Sequence, residues 1–428
     1  MTDKEFAPPG MVRLVVDPVA YSDGVTANKA LRWMRKHKPL SMARAEGIHP
    51  FWIVTKHADI LEISRQNDLF HNGDLSVTFN TIAGDARVRQ ITGGSPHILR
   101  TLVQMDAPDH TNHRRLAQAW FLPQSIRSLE DRIRQIAREH VDRMAGFGGE
   151  CDFATDIAIT YPLRVIMEVL GVPPADEPRM LRLTQELFGA ADPDLNRSGA
   201  PVADNPTGFL QMRETIDDFF QYFKDLTDDR RTHPRNDLAT VLANAEIDGA
   251  PISDFEAMSY YIIVATAGHE TTSSCTAGAL WGLSRYPEQF AKLKADLGLI
   301  PGLVEESIRW TSPVKHFMRT ATADYSLRGQ TIRKGDWIWL SYPSGNRDEE
   351  VFDDPEAFDI ERSPNRQLSF GYGAHLCLGQ HLARMEMRIL WEELLPRLES
   401  LELAGKPEQS VANFIVNLKK LPIRYRMT

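Results

Sequence analysis

The sequence predicts a mainly α-helical protein with small antiparallel β-sheets, and three stretches make that prediction. Ser253-Asp254-Phe255-Glu256 forms a capping box, and a helical pattern continues to about Tyr286, where Pro287 stops it. That span of roughly 33 residues would be about 50 Å long, enough to cross the molecule. Residues 125–188 hold several amphipathic helices broken at Pro173-Pro174, and another helix runs from Phe209 to about Arg231. Residues 310–340 differ in kind. There Trp310 to Thr320, Tyr325 to Leu327 and Trp337 to Leu340 read as short strands, with turns at Gly329 and Lys334-Gly335-Asp336.

The other elements follow in chain order. A helix from Asn28 to His37 precedes a strand, Phe51 to Thr55, and a helix, Ala58 to Arg65. Residues 68–104 carry no regular pattern, and a loop of that length is usually functional or mobile. Asp109 is expected to cap the next helix, with Pro108 before it. His110 and Arg114, four apart, then share a face suited to an anionic carboxylate, though a solvated basic face reads the same way. Gly189 to Gly208 shows no helical period and is expected to be a mobile lid over a substrate entrance. Within the long helix, Gly268 and the hydroxyls after it weaken the backbone and predict a kink. Ile263, Ala267 and Thr271 lie on one face at i, i+4 and i+8, and Ala267 is small enough for that face to press on a flat group. Glu306 and Arg309 can pair at i and i+3. All 428 residues are expected to form one domain.

Composition narrows the function. Apolar residues are 42% and charged residues 25% of the chain, ordinary for a globular protein. A formal net charge of −9 argues against general nucleic-acid affinity. The three cysteines, Cys151, Cys275 and Cys377, are far apart, so neither a disulfide framework nor a zinc knuckle is expected. The first residues lack an apolar signal region, and the run around Tyr260 to Gly268 is too short to span a bilayer. A cytoplasmic protein without a membrane anchor is expected.

Chemistry concentrates at Phe370-Gly371-Tyr372-Gly373-Ala374-His375-Leu376-Cys377-Leu378-Gly379, followed at once by a helical stretch. A helix N-terminus offers free N–H donors and a positive dipole, the surroundings that a ligating thiolate needs. A lone buried cysteine would otherwise be an inert small hydrophobe. Two other motifs fail. His269-Glu270 begins a zinc motif, but Ser273 stands where the second histidine should be. Gly371-x-Gly373 begins a dinucleotide loop, but its third glycine position is Leu376.

The Phe-x-x-Gly-x-His-x-Cys-x-Gly segment resembles the haem-binding signature of the cytochrome P450 family, and further matches spread over most of the chain. The resemblance implies the P450 fold and a non-covalent haem b with Cys377 as axial thiolate. It implies that His110, Arg114, Arg319 and His375 hold the haem propionates and that Ala267 lies against the macrocycle. Glu270-Thr271 resembles the family's oxygen-activating acid–threonine pair, with Glu where bacterial members more often have Asp. Arg362 matches the third member of a structural trio with Glu306 and Arg309 that holds the loop before Cys377. The pocket wall is expected to comprise Ile263, Ala267, Val314, Phe317, Ile415 and Val416, all apolar, which implies a small hydrophobic substrate. The implied activity is hydroxylation with O2 and two electrons from a ferredoxin served by a separate NAD(P)H-dependent reductase, with Arg115 and Arg384 as candidates for the docking face. Thr266 to Ser274, Phe317 to Ala321 and Cys377 to Ala383 look especially like the terpineol-hydroxylating bacterial subgroup, which points to a monoterpenoid or a compact aromatic hydrocarbon. A peroxide-using peroxygenase and a non-catalytic haem sensor are the alternatives, and Glu270-Thr271 speaks against both.

Overall fold

Helices form where the sequence carries a continuous apolar stripe. In the computed structural model, which describes residues 6–197, 199 and 206–428, the main helices are α1 (Ile82–Thr92), α2 (Asp109–Gln118), α3 (Glu130–Gly146), α4 (Thr160–Leu170), α5 (Pro206–Thr232), α6 (Asp254–Ala267), α7 (Glu270–Arg285), α8 (Ile300–Thr311) and α9 (Gln380–Leu394). In α3 the buried residues Ile133, Ile136, Ala137, Val141 and Met144 recur at helical spacing. They share one core with Leu382, Met385, Ile389 and Leu390 of α9. The capping box forms as expected: Ser253 Oγ accepts from the Glu256 N–H, and Glu256 Oε2 accepts from the Ser253 N–H at 3.0 Å.

The long central helix is interrupted rather than bent. α6 ends at Ala267, α7 starts at Glu270, and Gly268 and His269 lie between. A Cβ on Gly268 would stand 2.6 Å from Ile166 Cγ1 of α4, so only glycine lets the break pack there.

The β-rich part is a five-stranded sheet in the order β1 (Leu40–Ala43), β2 (Phe51–Val54), β5 (Trp337–Ser341), β4 (His316–Ala321) and β3 (Phe70–His71). It is antiparallel except for the β2–β5 pair. Alternate residues enter two separate cores, Trp52, Val54, Ile338 and Leu340 on one side and Phe51, Ile53, Trp337 and Trp339 on the other. Both faces are therefore covered. Phe317 and Arg319 share one face of β4 by the two-residue period.

Four local expectations are corrected. Residues 68–104 contain β3 and α1, and α1 escaped notice because Val88 is its only buried residue. Trp310 and Thr311 end α8, and the strand starts at His316. Asp109 does not cap α2: it is already helical, and its carboxylate pairs with Arg100 at 2.6 Å. The described part of the expected lid is anchored. Asp192 is fully buried and accepts from the Val411 N–H and from Lys419 Nζ. The rest of that stretch, residues 198 and 200–205, lies outside the described residues. Among the described residues, no helix is long and apolar enough to cross a membrane.

Candidate active site

A cavity of about 630 Å³ lies where α6, α7, β4 and the loop before α9 meet. Cys377 lines it from that loop, half-buried, with its N–H donating to the Phe370 carbonyl at 2.9 Å. The loop is set by Gly373, whose φ of +75° suits glycine and whose missing Cβ would lie 2.1 Å from the Ser64 carbonyl oxygen. Burial raises the Cys377 thiol, while the N–H groups of Gly379 and Gln380 and the charges of Arg114 and Arg384 pull it down. Those opposing groups are what a ligating thiolate uses.

Ala267, Gly268 and Thr271 line the cavity from the helix break. Thr271 Oγ1 donates to the Ala267 carbonyl at 3.0 Å. Glu270 does not line the cavity. It is buried, accepts from Asn417 Nδ2, and leaves Oε1 without a partner, 3.7 Å from His269 Nδ1. Burial raises the Glu270 carboxyl to about 7. His269 donates from Nε2 to the Ile159 carbonyl at 2.9 Å, and burial lowers it to about 4. The sequence pair thus splits: Thr271 lines the cavity and Glu270 faces Asn417.

Four nitrogen-bearing side chains gather at the rim beside Cys377. The His110 and His375 rings stand 4.2 Å apart, and His110 Nε2 is buried with no partner. Arg114 donates to the Leu376 carbonyl at 2.7 Å, and the buried Arg319 donates to the Met318 carbonyl at 2.7 Å. Neither arginine has a carboxylate partner among the described residues. Burial, then the charges of Arg319, His110 and Arg114, hold His375 down to about 2. A buried cluster of donors without acids needs anionic oxygens.

Glu306, Arg309 and Arg362 come together away from the cavity. Glu306 and Arg309 are both fully buried and paired at 2.6 Å, and Arg362 Nε reaches Glu306 at 3.2 Å. Arg309 also donates to the carbonyls of Asn346, Pro355 and Ala357, which ties α8 to the segment leading to Cys377.

Among the expected wall residues, Ile263, Ala267, Val314, Phe317 and Ile415 line the cavity. Val416 does not. It packs with Ala20, Tyr21 and Ala27 in a separate cluster, because Val314 and Ile415 pair in an isolated bridge and the next side chain turns away. Arg384 is not free for docking either: it is paired with Glu305 and lies 4.4 Å over Phe370. Arg115 is exposed. The sequence reading missed Glu386 of α9, a buried cavity-lining acid with one unpartnered oxygen, held well above the usual range by burial. Its one signal was an acid in the apolar stripe that includes Leu382, Met385 and Ile389.

This geometry can be set beside known proteins. The cytochrome P450 family model matches residues 81–427. The chain belongs to the cytochrome P450 family. It is 50% identical over 425 residues, covering 99% of both chains, to cytochrome P450-terp of a Pseudomonas species. It is 32% identical to a steroid C26-monooxygenase of Mycolicibacterium smegmatis, covering 96% of this chain and 95% of the relative. Among solved structures, CYP108D1 of Novosphingobium aromaticivorans superposes with a TM-score of 0.90 at 44% identity, covering 99% of this chain and 100% of that one. This P450 is a monooxygenase whose cofactor is haem b with thiolate ligation. The residues present fit that group: one thiol in an electropositive loop, a small-residue helix break across the cavity, and four rim donors without acids for the two carboxylates.

Proposed function

We propose that this P450 hydroxylates a small hydrophobic substrate, a monoterpenoid or a compact aromatic hydrocarbon, using O2 and two electrons from a ferredoxin. The observation that carries this reading is that Cys377 and Thr271 line one cavity whose other walls include Ile263, Val314, Phe317 and Ile415. The likeness to P450-terp supports the monoterpenoid class.

Bound haem supplies the one-electron and dioxygen chemistry, with the thiolate favouring O–O cleavage. In this reading the Cys377 thiolate would hold the haem iron, and the N–H groups of Gly379 and Gln380 would tune its sulphur. His110, Arg114, Arg319 and His375 would hold its propionates at the rim. Apolar walls orient the substrate and exclude water. Thr271 donates to the Ala267 carbonyl at rest and can rotate that hydrogen bond into the cavity. Glu270 titrates near neutrality and so can hold and release a proton. It serves Thr271 by turning from Asn417. A separate ferredoxin, fed by an NAD(P)H reductase, delivers the electrons, with Arg115 on the docking face.

The test is a spectral screen of terpenes and aromatic hydrocarbons for water displacement from ferric iron, followed by product analysis with reduced ferredoxin. Hydroxylated product from a compact hydrophobe supports the proposal. Turnover with peroxide equal to that with ferredoxin overturns it in favour of a peroxygenase. Absence of product from every tight binder overturns it in favour of a sensor.

A further inference from the structure

His269 sits in the break between α6 and α7, does not line the cavity and has no part in the chemistry above. It is fully buried. A carbonyl only accepts, so the ring nitrogen 2.9 Å from the Ile159 carbonyl, Nε2, carries the proton. Burial lowers the ring to about 4, which leaves it neutral near pH 7 with a lone pair on Nδ1. Two groups stand before that lone pair. Thr184 Oγ1, also fully buried, is 3.3 Å away, and Glu270 Oε1 is 3.7 Å away. Thr184 has one proton for two acceptors, because its Oγ1 is also 2.9 Å from the Leu181 carbonyl.

Glu270 has the converse need. Its Oε2 accepts from Asn417 Nδ2, and its buried Oε1 has no partner. An ionised carboxylate would leave that oxygen unmet away from water. A protonated one can carry its proton on Oε1, and a small turn of the carboxyl toward Nδ1 closes 3.7 Å to hydrogen-bond length. Burial raises the carboxyl to about 7, so between about 4 and about 7 the acid holds the proton and the base does not. Among the described residues, no charged side chain of another element bears on either group: the polar neighbours are Asn417, Thr184 and the Ile159 carbonyl. We infer that His269 is a positioning residue for Glu270: its Nδ1 lone pair accepts the carboxyl proton, holds the acid in its neutral form next to Thr271, and turns to Thr184 when the acid lets go. This rests on the reading of Glu270 as a proton carrier.

Infrared difference spectra of the ferric holoprotein, taken without turnover on either side of the Glu270 titration, test it. The carbonyl stretch of the protonated acid is assigned by its absence in Glu270→Gln. His269→Gln keeps a donor for Ile159 but offers nothing at the Nδ1 position. His269→Asn keeps an acceptor at that position and loses the bond to Ile159. In His269→Gln the titration midpoint is expected to fall by about one pH unit, the size of one neutral hydrogen bond, and the stretch to rise in frequency. In His269→Asn both should stay close to those of the unaltered protein. Thr184→Val removes the competing hydroxyl and is expected to raise the midpoint, whereas packing damage would admit water and lower it. The ferrous–carbonyl band of each variant verifies that it is folded, and if neither His269 variant folds, Thr184→Val decides alone. Absence of a protonated band in the unaltered protein overturns the inference. So does an unchanged midpoint in His269→Gln, an equal fall in His269→Asn, or a midpoint that does not rise in Thr184→Val. If the midpoints move as stated while His269→Gln releases no more peroxide per electron consumed than the unaltered protein, with α-terpineol as the probe, the proton-carrying reading of Glu270 fails and the positioning stands.

Discussion

Replacing Glu306 by Gln removes one negative charge from a point where two guanidinium groups converge. Glu306 accepts from Arg309 at 2.6 and 2.7 Å, from Arg362 at 3.2 and 3.3 Å, from the Asp359 N–H at 2.9 Å and from Asn365 at 3.1 Å. A glutamine keeps one acceptor and turns the other position into a donor that faces donors. Arg309 then stays buried with no counter-charge, a change that costs about 3–5 kcal/mol. With an unfolding entropy of about 2.1 cal/mol/K per residue, the 428-residue chain should lose about 3–6 °C in Tm. The neighbouring residue is the control. Glu305 is 29% exposed and pairs with Arg384, which is 31% exposed, so Glu305→Gln should cost about 1 kcal/mol or less, near 1 °C. Thermal unfolding followed at the haem band measures both variants side by side. If Glu306→Gln melts no lower than Glu305→Gln, the reasoning from burial is refuted.

Other outcomes can be checked in parallel. Cys377→Ser should abolish the red-shifted ferrous–carbonyl band of thiolate haem, and a band that persists would place the ligand elsewhere. Thr271→Ala should bind substrate normally but divert electrons to peroxide, seen as a lower ratio of product to reductant consumed; unchanged coupling would contradict the role given to its hydroxyl. Glu270 has its pKa raised from 4.5 to about 7, so the fold binds the extra proton and loses stability as pH rises through that window. The shift corresponds to about 3 kcal/mol, and Glu270→Gln should flatten that part of a denaturation series run from pH 4.5 to 8. Gly268→Ala should destabilise by about 1–3 kcal/mol, because its methyl group would displace Ile166; unchanged denaturant midpoints would show that α4 gives way freely.

How far the sequence could be read depended on how local the cause was. The Cys377 loop was legible because its glycines, histidine and cysteine occur within ten residues and act on one another directly. The cap at Ser253 was legible for the same reason. The break at Gly268 was read as a weak point, but whether it would bend or separate was decided by Ile166, about a hundred residues away in the chain. Glu270 and Thr271 were read as a pair because they are adjacent, yet neighbours on a helix point about 100° apart, and Asn417 claims the acid. Val416 was assigned to the wall with Ile415, and the bridge between Val314 and Ile415 decides which of the two faces inward. The unpartnered Asn72 Oδ1 gave no signal at all, since an unmet acceptor exists only once its surroundings are folded.

The short stretch from Ile415 to Lys419 has three separate tenants. Ile415 shapes the cavity wall, Asn417 holds the Glu270 carboxylate, and Lys419 anchors Asp192 in the loop after Phe188. An insertion, or a substitution that shifts this backbone, would disturb all three at once. Evolvability is therefore uneven around the cavity: altered ligand preference is more readily reached through the 76–104 segment, where the side chains of Val77, Leu99 and Leu102 make no polar tie to a distant segment. Directed evolution that randomises each segment separately would find more functional variants in the latter.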